Sequence, residues 1–510
     1  MDSQAPGQNR RDLMLRRSFL LASAVAAAGA VAFGIGCDTP QGMRAPRAQN
    51  VPGGGTRPGQ NPAGMNGAPP AQPSDQPPKT PERTTPDQPA KPDGTDKPQT
   101  IDRPEPPSKE PAIRIKTREV PASKPLVRIE GHGPKVWLVE KGSGKGGVLA
   151  QGPVDARWSK GAWQITEMAG TPRARALAYE SRGTLDVTCL SNEPQRITVD
   201  GVQWPGSVRL VPVTSIGSTA AFDLVHEVAM ETYLSGVIAK ELMNSWAVET
   251  HRAQAIAARS YAVCEMAIWR PQRHYDVVAD ERSQAWIGTT THAKSLDAVR
   301  DTAGQMLVFD GRVVPAYYSS CCGGARASAQ DTISSEIRHD ITPLRAASGR
   351  KGCACTGFSK HARWEMTLAV PAVSRVLPAW ARLEGYPSLA RIGEVRQVEV
   401  VSRNELGRPV RVRIVDAKGW RCELPAERLR WALSANPANP AEKKPLAERV
   451  KSAYFEPTVK GGQLVLKGAG YGHGVGLCQY GSEAMAKSGD KATAILTNYY
   501  PGARLVRAYG

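Results

Sequence analysis

A chain of 510 residues with a formal net charge of +18 is too long for one hydrophobic core to organise. Nineteen of its forty-one prolines lie between Asp38 and Pro111 among small and polar residues, which excludes a compact fold for that stretch. About +16 of the charge lies beyond residue 112, so the part able to fold is basic and calls for an anionic partner: nucleic acid, an anionic membrane surface or an acidic wall polymer.

The N-terminus selects a compartment. Arg16 and Arg17 precede Ser18, Phe19 and Leu20 and an uncharged run, rich in Ala and Gly, that continues to Gly36. Its nineteen residues barely reach across a bilayer, so residues 1–37 read as an export signal, and the paired arginines resemble a twin-arginine signal. Cys37, after Gly34, Ile35 and Gly36, resembles a lipoprotein processing site; the alternative is an ordinary cleaved signal in which the cysteine is incidental. A lipidated Cys37 would tether the chain to a membrane through the extended, disordered linker 38–112. In either case the folded part works outside the cytoplasm.

From Ile113 to Val225 short runs rich in Val, Leu, Trp and Thr alternate with Gly, Asn, Pro and Ser, which predicts a β-rich subdomain. Over 226–270 the pattern switches to two helices, broken only at "MNSW", with Ser245 as N-cap of the second. In that second helix Ala253, Ile256, Ala257, Ser260, Tyr261 and Cys264 form a small-residue face for close packing. His251, Gln254 and Arg259 fall on other sides, where solvation is the simplest reading. Mixed short segments run to Leu433, and residues 434–510 hold an Asn/Pro/Ala loop, a strand "QLVLKG", a glycine-rich turn and a final helix. The expected fold is α+β: a β-rich N-terminal subdomain (113–225), a core whose helix pair carries the site (226–433), and a mixed C-terminal part closing the groove (434–510).

One residue stands out in the first helix. Leu234, Val237, Ile238, Glu241 and Leu242 follow the i, i+3, i+4, i+7, i+8 spacing, so a carboxylate shares the apolar stripe. Burial and the helix C-terminal dipole both disfavour its charge and raise its pKa, the state suited to a general acid. The alternative is a structural ion pair with Lys240, Arg252 or Arg259.

Three stretches bear on that choice together. "METYLSGVIAKELMNSWAVETHRAQAIAARSYAV" (230–263), "AGQMLVFDGRVVPAYYSSCCGGARAS" (303–328) and "GAGYGHGVGLCQYGSEAMAKSGDKATAILTNYYPGARL" (468–505) resemble, in order and separation, the SpoIID/LytB family of sporulation protein D and amidase-enhancer proteins. The resemblance spans about 113–510. It implies a lytic transglycosylase that cuts the β-1,4 bond after N-acetylmuramic acid in peptidoglycan and leaves a 1,6-anhydro end, with Glu241 at the catalytic position. One carboxylate suffices for that chemistry. The sugar's own 6-hydroxyl attacks the anomeric carbon, an intramolecular step whose effective molarity reaches on the order of 10⁵ M, where ordinary glycosidases need two carboxylates.

The resemblance also implies that Arg259 lines the substrate groove, binding the lactyl carboxylate or tuning Glu241. Gln254, Tyr261 and Gln284 are further substrate-binding candidates, and His473 and Gln479 match the C-terminal motif. Glycines 468, 470, 472, 474 and 476 fit neither a dinucleotide fingerprint nor a phosphate loop. They make either a tight structural turn or a substrate contact. Cys321, Cys322, Cys353 and Cys355 cluster with His339 and His361 nearby. Some family members are implied to bind zinc here, and Cys322, Cys353 and Cys355 with His361 or Cys321 would supply four ligands to a structural ion; disulfides are the alternative in an oxidising compartment. Cys189, Cys264, Cys422 and Cys478 read as buried small hydrophobes. Catalysis itself requires no cofactor.

Two functions follow. The first is an enzyme acting on peptidoglycan strands, with no role for nucleic acid. The second is a non-catalytic wall-binding protein that stimulates a separate N-acetylmuramoyl-L-alanine amidase, as the family's other branch is thought to do.

Overall fold

Alternating apolar residues build the first layer of the fold in the computed structural model, which describes residues 103–131, 135–142, 146–190, 196–213, 218–346 and 353–510. The expected export signal, Cys37 and residues 38–102 of the expected linker lie outside the described residues. A seven-stranded sheet runs in the order Val277–Val278, Ala112–Pro121, Ala220–Ala229, Ser207–Pro212, Leu185–Cys189, Lys135–Glu140, Val148–Gln151. A six-stranded sheet, centred on Leu126–Gly131 and Val154–Ser159, shares its apolar core, where Val127, Ile129, Leu138, Val187, Leu210 and Phe222 are buried. The fold is α+β.

The long strand Ala220–Ala229 leads directly into helix α1 (Met230–Glu241), so the switch to helix comes four residues later than the sequence pattern suggests. The end of the expected linker is not free either. Arg103 is buried with its guanidinium donating to the carbonyls of Phe309 and Arg312, and Glu110 and Pro111 accept the backbone N–H groups of Glu231 and Met230. These acceptors satisfy donors that the first turn of α1 leaves open, which holds residues 103–111 to the fold.

Helix α2 (Val248–Trp269) begins at Ala247 rather than Ser245. Its cap comes from far along the chain: the Glu483 carboxylate accepts the Ala247 N–H at 2.9 Å and the Thr250 hydroxyl at 2.8 Å. The helix packs against α1, α3 (Ala293–Asp301), the strand Gln305–Phe309, and two C-terminal helices introduced below. Being enclosed on all sides, it buries His251, Gln254 and Arg259, which overturns the reading of those three as solvated.

Residues 364–466 build a core of their own, so the expected division at Leu433 does not follow the packing. Strands Trp364–Ala369, Gln463–Gly468 and Phe455–Lys460 form one sheet and Val395–Arg403, Pro409–Asp416 and Arg421–Pro425 another. Helices α4 (Val370–Glu384) and α5 (Ala426–Ser434) close over them, burying Val373, Leu377, Trp380, Ile414, Leu429 and Leu464. The chain then returns to the first core through the glycine-rich loop, helix α6 (Gln479–Lys487), helix α7 (Ala492–Tyr499) and strand Arg504–Arg507, which pairs with Gln305–Phe309.

Close approach fixes α1 against the loop that follows α2. A Cβ on Gly236 would stand 2.2 Å from the Gly288 carbonyl oxygen and 2.8 Å from Trp286 Nε1. Gly236→Ala is therefore expected to destabilise the protein by about 1–3 kcal/mol through overpacking, read as a lowered thermal midpoint.

Candidate active site

Glu241 is the last residue of α1 and is partly buried. Two donors reach it from different parts of the chain: the Ala285 backbone N–H at 3.3 Å to Oε1 and Gln479 Nε2 at 3.1 Å to Oε2. Burial raises its pKa, while these two hydrogen bonds and Lys240 pull the other way. No ion pair forms between Glu241 and Lys240, Arg252 or Arg259 among the described residues. The carboxyl is thus desolvated and held by neutral donors, an arrangement that favours the protonated acid without locking it.

The elements that position those donors are a short parallel pairing and a loop. Tyr318 and Ser319 pair with Leu477 and Cys478, which sets Gln479 at the start of α6 beside the end of α1. Gln284 holds the other side: its Oε1 accepts the Tyr233 hydroxyl at 3.0 Å, and its Nε2 donates to the Ala258 carbonyl at 3.2 Å and the Tyr318 hydroxyl at 3.0 Å. Both of its donors and one acceptor site are spent within the protein, so Gln284 positions Ala285 and the tyrosines.

Several expected substrate contacts are engaged elsewhere. Arg259 is fully buried and pairs with Glu231, Nε to Oε1 at 2.9 Å and Nη2 to Oε2 at 2.5 Å, while Nη1 donates to the Gln305 carbonyl at 3.0 Å. The Tyr509 hydroxyl also donates to Glu231. Glu231 and Glu241 stand at opposite ends of α1, roughly 15 Å apart at the rise of a helix. Arg259 therefore ties the start of α1 to α2 and neither lines the Glu241 cleft nor tunes it by contact.

Gln254 is fully buried, and neither of its amide atoms has a partner among the described residues. Tyr261 is buried edge-on against Tyr317 and Tyr318, at ring distances of 5.6 and 6.4 Å. His473 Nδ1 accepts the Val475 N–H at 3.0 Å, a backbone hydrogen bond with Tyr318 also holds the ring, and burial pushes its pKa down to about 4. Of the six residues expected to bind substrate, only Gln479 touches Glu241.

A second carboxyl escaped the sequence reading. Glu265 in α2 accepts the Trp269 indole N–H at 3.0 Å and a bond from Tyr261, and burial raises its pKa. The Tyr233 hydroxyl, itself raised well above its usual range by burial, lies in the field of both Glu241 and Glu265. The i, i+4 spacing of Tyr261, Glu265 and Trp269 was the available signal.

The glycine-rich loop is a structural turn. Glycines 470, 472, 474 and 476 all have positive φ, and Gly468 does not. At Gly476, φ +66°, a Cβ would fall 2.0 Å from the Tyr317 carbonyl oxygen.

The cysteines form a second centre. Cys322, Cys353, Cys355 and Cys478 place their sulfurs within 4.8 Å of one another, and the Cys322 and Cys355 sulfurs are 3.7 Å apart. A zinc ion with Zn–S bonds of about 2.3 Å would separate tetrahedral ligands by roughly 3.8 Å, so four thiols of this spacing, three of them buried and Cys353 partly so, fit such an ion. His361 is not among them; its ring lies tilted against Tyr471 at 4.7 Å. Cys478, expected as a buried hydrophobe, takes its place because the parallel pairing with Ser319 carries it across from the far end of the chain. All eight described cysteines are unpaired thiols, so disulfides are not formed in this structure.

Residues 218–309 match the family model SpoIID, described as stage II sporulation protein, and residues 347–476 match DUF8618, a domain of unknown function. The amidase enhancer of Bacillus subtilis (strain 168) is 27% identical over 331 residues, 61% of this chain and 45% of that protein. The chain therefore spans less than half the length of that relative. Stage II sporulation protein D of the same organism is 24% identical over 318 residues, 59% of this chain and 81% of that protein. An uncharacterized protein of Brachyspira hyodysenteriae is 24% identical over 310 residues, 61% of this chain and 74% of the relative. Glu241, Glu231, Arg259, Gln284 and Ala285 all fall inside 218–309; Gln479 and Cys478 fall outside both matched segments.

Proposed function

We propose that this chain, which carries a SpoIID-family domain over residues 218–309, is a peptidoglycan lytic transglycosylase with Glu241 as its single acid and base. A cell-wall-related function is supported by the family match and by the relatives. The observation that carries the finer reading is the environment of Glu241: a desolvated carboxyl, pKa raised by burial, held by the Ala285 N–H and Gln479 without a cation in contact. Such a group donates its proton to the leaving glycosidic oxygen and, once ionised, accepts the proton of the sugar's 6-hydroxyl as that oxygen closes the anhydro ring. The two donors lower the cost of the ionised state midway through the cycle. Glu265, whose bonds go to Tyr261 and Trp269, is given no part in the proton transfers.

The test is product chemistry. The full chain incubated with intact and with peptide-stripped glycan strands should release anhydro-muramyl ends, detected by mass spectrometry; reducing ends, or no new ends on either substrate, would overturn the assignment. Gln479→Ala removes a donor that favours the carboxylate, so the Glu241 pKa rises further. The alkaline limb of the pH profile of cleavage, where the acid form is lost, is expected to move to higher pH.

A second reading draws on the Bacillus relative named amidase enhancer. In it the chain binds glycan without cutting it and stimulates an N-acetylmuramoyl-L-alanine amidase. It predicts amidase stimulation that is unaffected by Glu241→Gln and no anhydro ends at any pH. Export, and a lipid anchor at Cys37, are part of either reading, and a structural zinc at Cys322, Cys353, Cys355 and Cys478 belongs to both. The ion would hold these segments together, and the acid–base steps run on Glu241 alone. Among the described residues no helix is long and apolar enough to cross a membrane.

A further inference from the structure

We propose that the four-cysteine centre clasps residues 353–476 to the core that carries Glu241, and that Cys478 is thereby the positioning residue for Gln479. The inference gives the segment of unknown function a role, and it rests on the lytic reading only for the use made of Glu241.

The four thiols all sit in or against the first core, but they come from both ends of the second core's segment and from the core itself. Cys353 and Cys355 lead into the second core, whereas Cys322 follows the strand Tyr318–Ser319 and Cys478 ends the strand that pairs with it. The two apolar cores are separate clusters, and polar contacts bridge them. Trp364 Nε1 donates to the Gly470 carbonyl at 3.0 Å, Asn404 Nδ2 to Arg326 at 2.8 Å, and Arg449 pairs with Glu281 at 3.0 Å. Hydrogen bonds exchanged with water add little net stability each, so a junction of this kind gains most from a centre with four strong bonds.

Charge supports an anionic centre. Arg408, from the second core, is buried, and its guanidinium donates to the carbonyls of Cys322 and Ala325, both at 3.1 Å, and of His473 at 3.0 Å. Carbonyl oxygens accept three of its hydrogens, and the charges that oppose it are the Glu427 carboxylate first and Cys322 second. Four thiolates around a divalent ion carry a net charge of about −2, which adds to that of Glu427.

The link to the acid is one peptide bond long. Cys478 is the N-cap of α6, its sulfur accepting the Gly481 N–H at 3.3 Å and the Cys322 N–H at 3.3 Å. Thiolate character at a helix N-terminus is favoured by the dipole. Gly481 allows the approach, since a Cβ there would lie 2.3 Å from the Cys353 sulfur. Gln479 is the first residue of α6 and reaches Glu241 at 3.1 Å, so a displacement of about 0.5 Å takes that contact outside hydrogen-bond range.

The experiment uses the full chain, reduced and titrated with zinc alone, then with ¹¹³Cd as a spectroscopic substitute. One ion per chain with a four-thiolate ¹¹³Cd signature is expected, and Cys478→Ser should abolish that signature. Removing the ion with a chelator should raise hydrogen exchange of the amides of 479–483 at least tenfold and shift the Gln479 side-chain amide resonance. Amides of strands Leu185–Cys189 and Ser207–Pro212 should stay protected, which separates local release from unfolding. No uptake of zinc by the reduced chain, a four-thiolate signal that survives Cys478→Ser, or unchanged protection of α6 after metal removal would overturn the proposal. None of these readouts involves glycan cleavage, so an inactive chain with bound metal and a protected α6 counts against the lytic reading alone.

Discussion

Glu241→Gln is expected to reduce release of anhydro ends by about 10³-fold or more while leaving the fold intact, the loss typical of removing a positioned general acid–base. Glutamine keeps the size and one acceptor for the Ala285 N–H, but it cannot deliver or take a proton. Stability adds a second readout. Burial sets the folded pKa of Glu241 above its unfolded value, so the stability contributed by its neutral form is present below the unfolded pKa and lost as pH rises through the folded one. Glutamine does not ionise and escapes that loss. The melting temperature of the variant relative to the parent should therefore rise with pH across that window. Retained cleavage would remove Glu241 from the chemistry, and a relative stability that falls with pH would mean the carboxylate, not the acid, is the form the fold prefers.

Arg259→Met should act in the opposite way, costing stability and sparing chemistry. Its guanidinium, fully buried, neutralises Glu231, which is itself partly exposed, so removing it is expected to cost about 3 kcal/mol, the lower end of the range for a buried pair. That is a large share of the roughly 5–15 kcal/mol by which domains of this kind are stable. Glu231 would keep only the Tyr509 hydroxyl and the Gly304 N–H. Denaturant melts should show the loss, and a cycle with Glu231→Gln should recover part of it, since the neutral amide no longer strands a charge. Kinetics corrected for the folded fraction should be unchanged. A raised KM with unaltered stability would instead return Arg259 to the substrate groove.

Arg259 illustrates where a sequence stops being informative. Its place in "AARSY" is compatible with a groove residue, and periodicity puts it off the small-residue face, but which carboxylate it meets depends on α1 and α2 crossing so that Glu231, 28 positions earlier, stands opposite. His251 and Gln254 carry the same lesson. A polar residue outside an apolar stripe is solvated only if nothing covers that side, and α2 is covered by α1, α3, α6, α7 and a strand. The second core was equally hidden, because short alternating strands with single helices between them look alike whether they belong to one cluster or two.

The cysteines show the limit from the other direction. Cys322, Cys353 and Cys355 are grouped by their nearness in sequence with His361 or Cys321 as the fourth ligand, yet the fourth thiol comes from Cys478, 156 residues after Cys322, through a two-residue parallel pairing that no local pattern announces.

What the sequence by itself determined was the α+β class, the β-rich start, the two central helices, and a carboxylate placed on an apolar stripe at a helix end. These follow from period, turn chemistry and side-chain size, which act between near neighbours. Only the tertiary structure decided what stands opposite each charge and each thiol: Gln479 and the Ala285 amide at Glu241, Glu231 at Arg259, Cys478 in the thiol centre, Arg408 beside it. The physical reason is that desolvated charges and clustered thiols are satisfied by groups from distant segments, and those meetings exist only after the chain has packed.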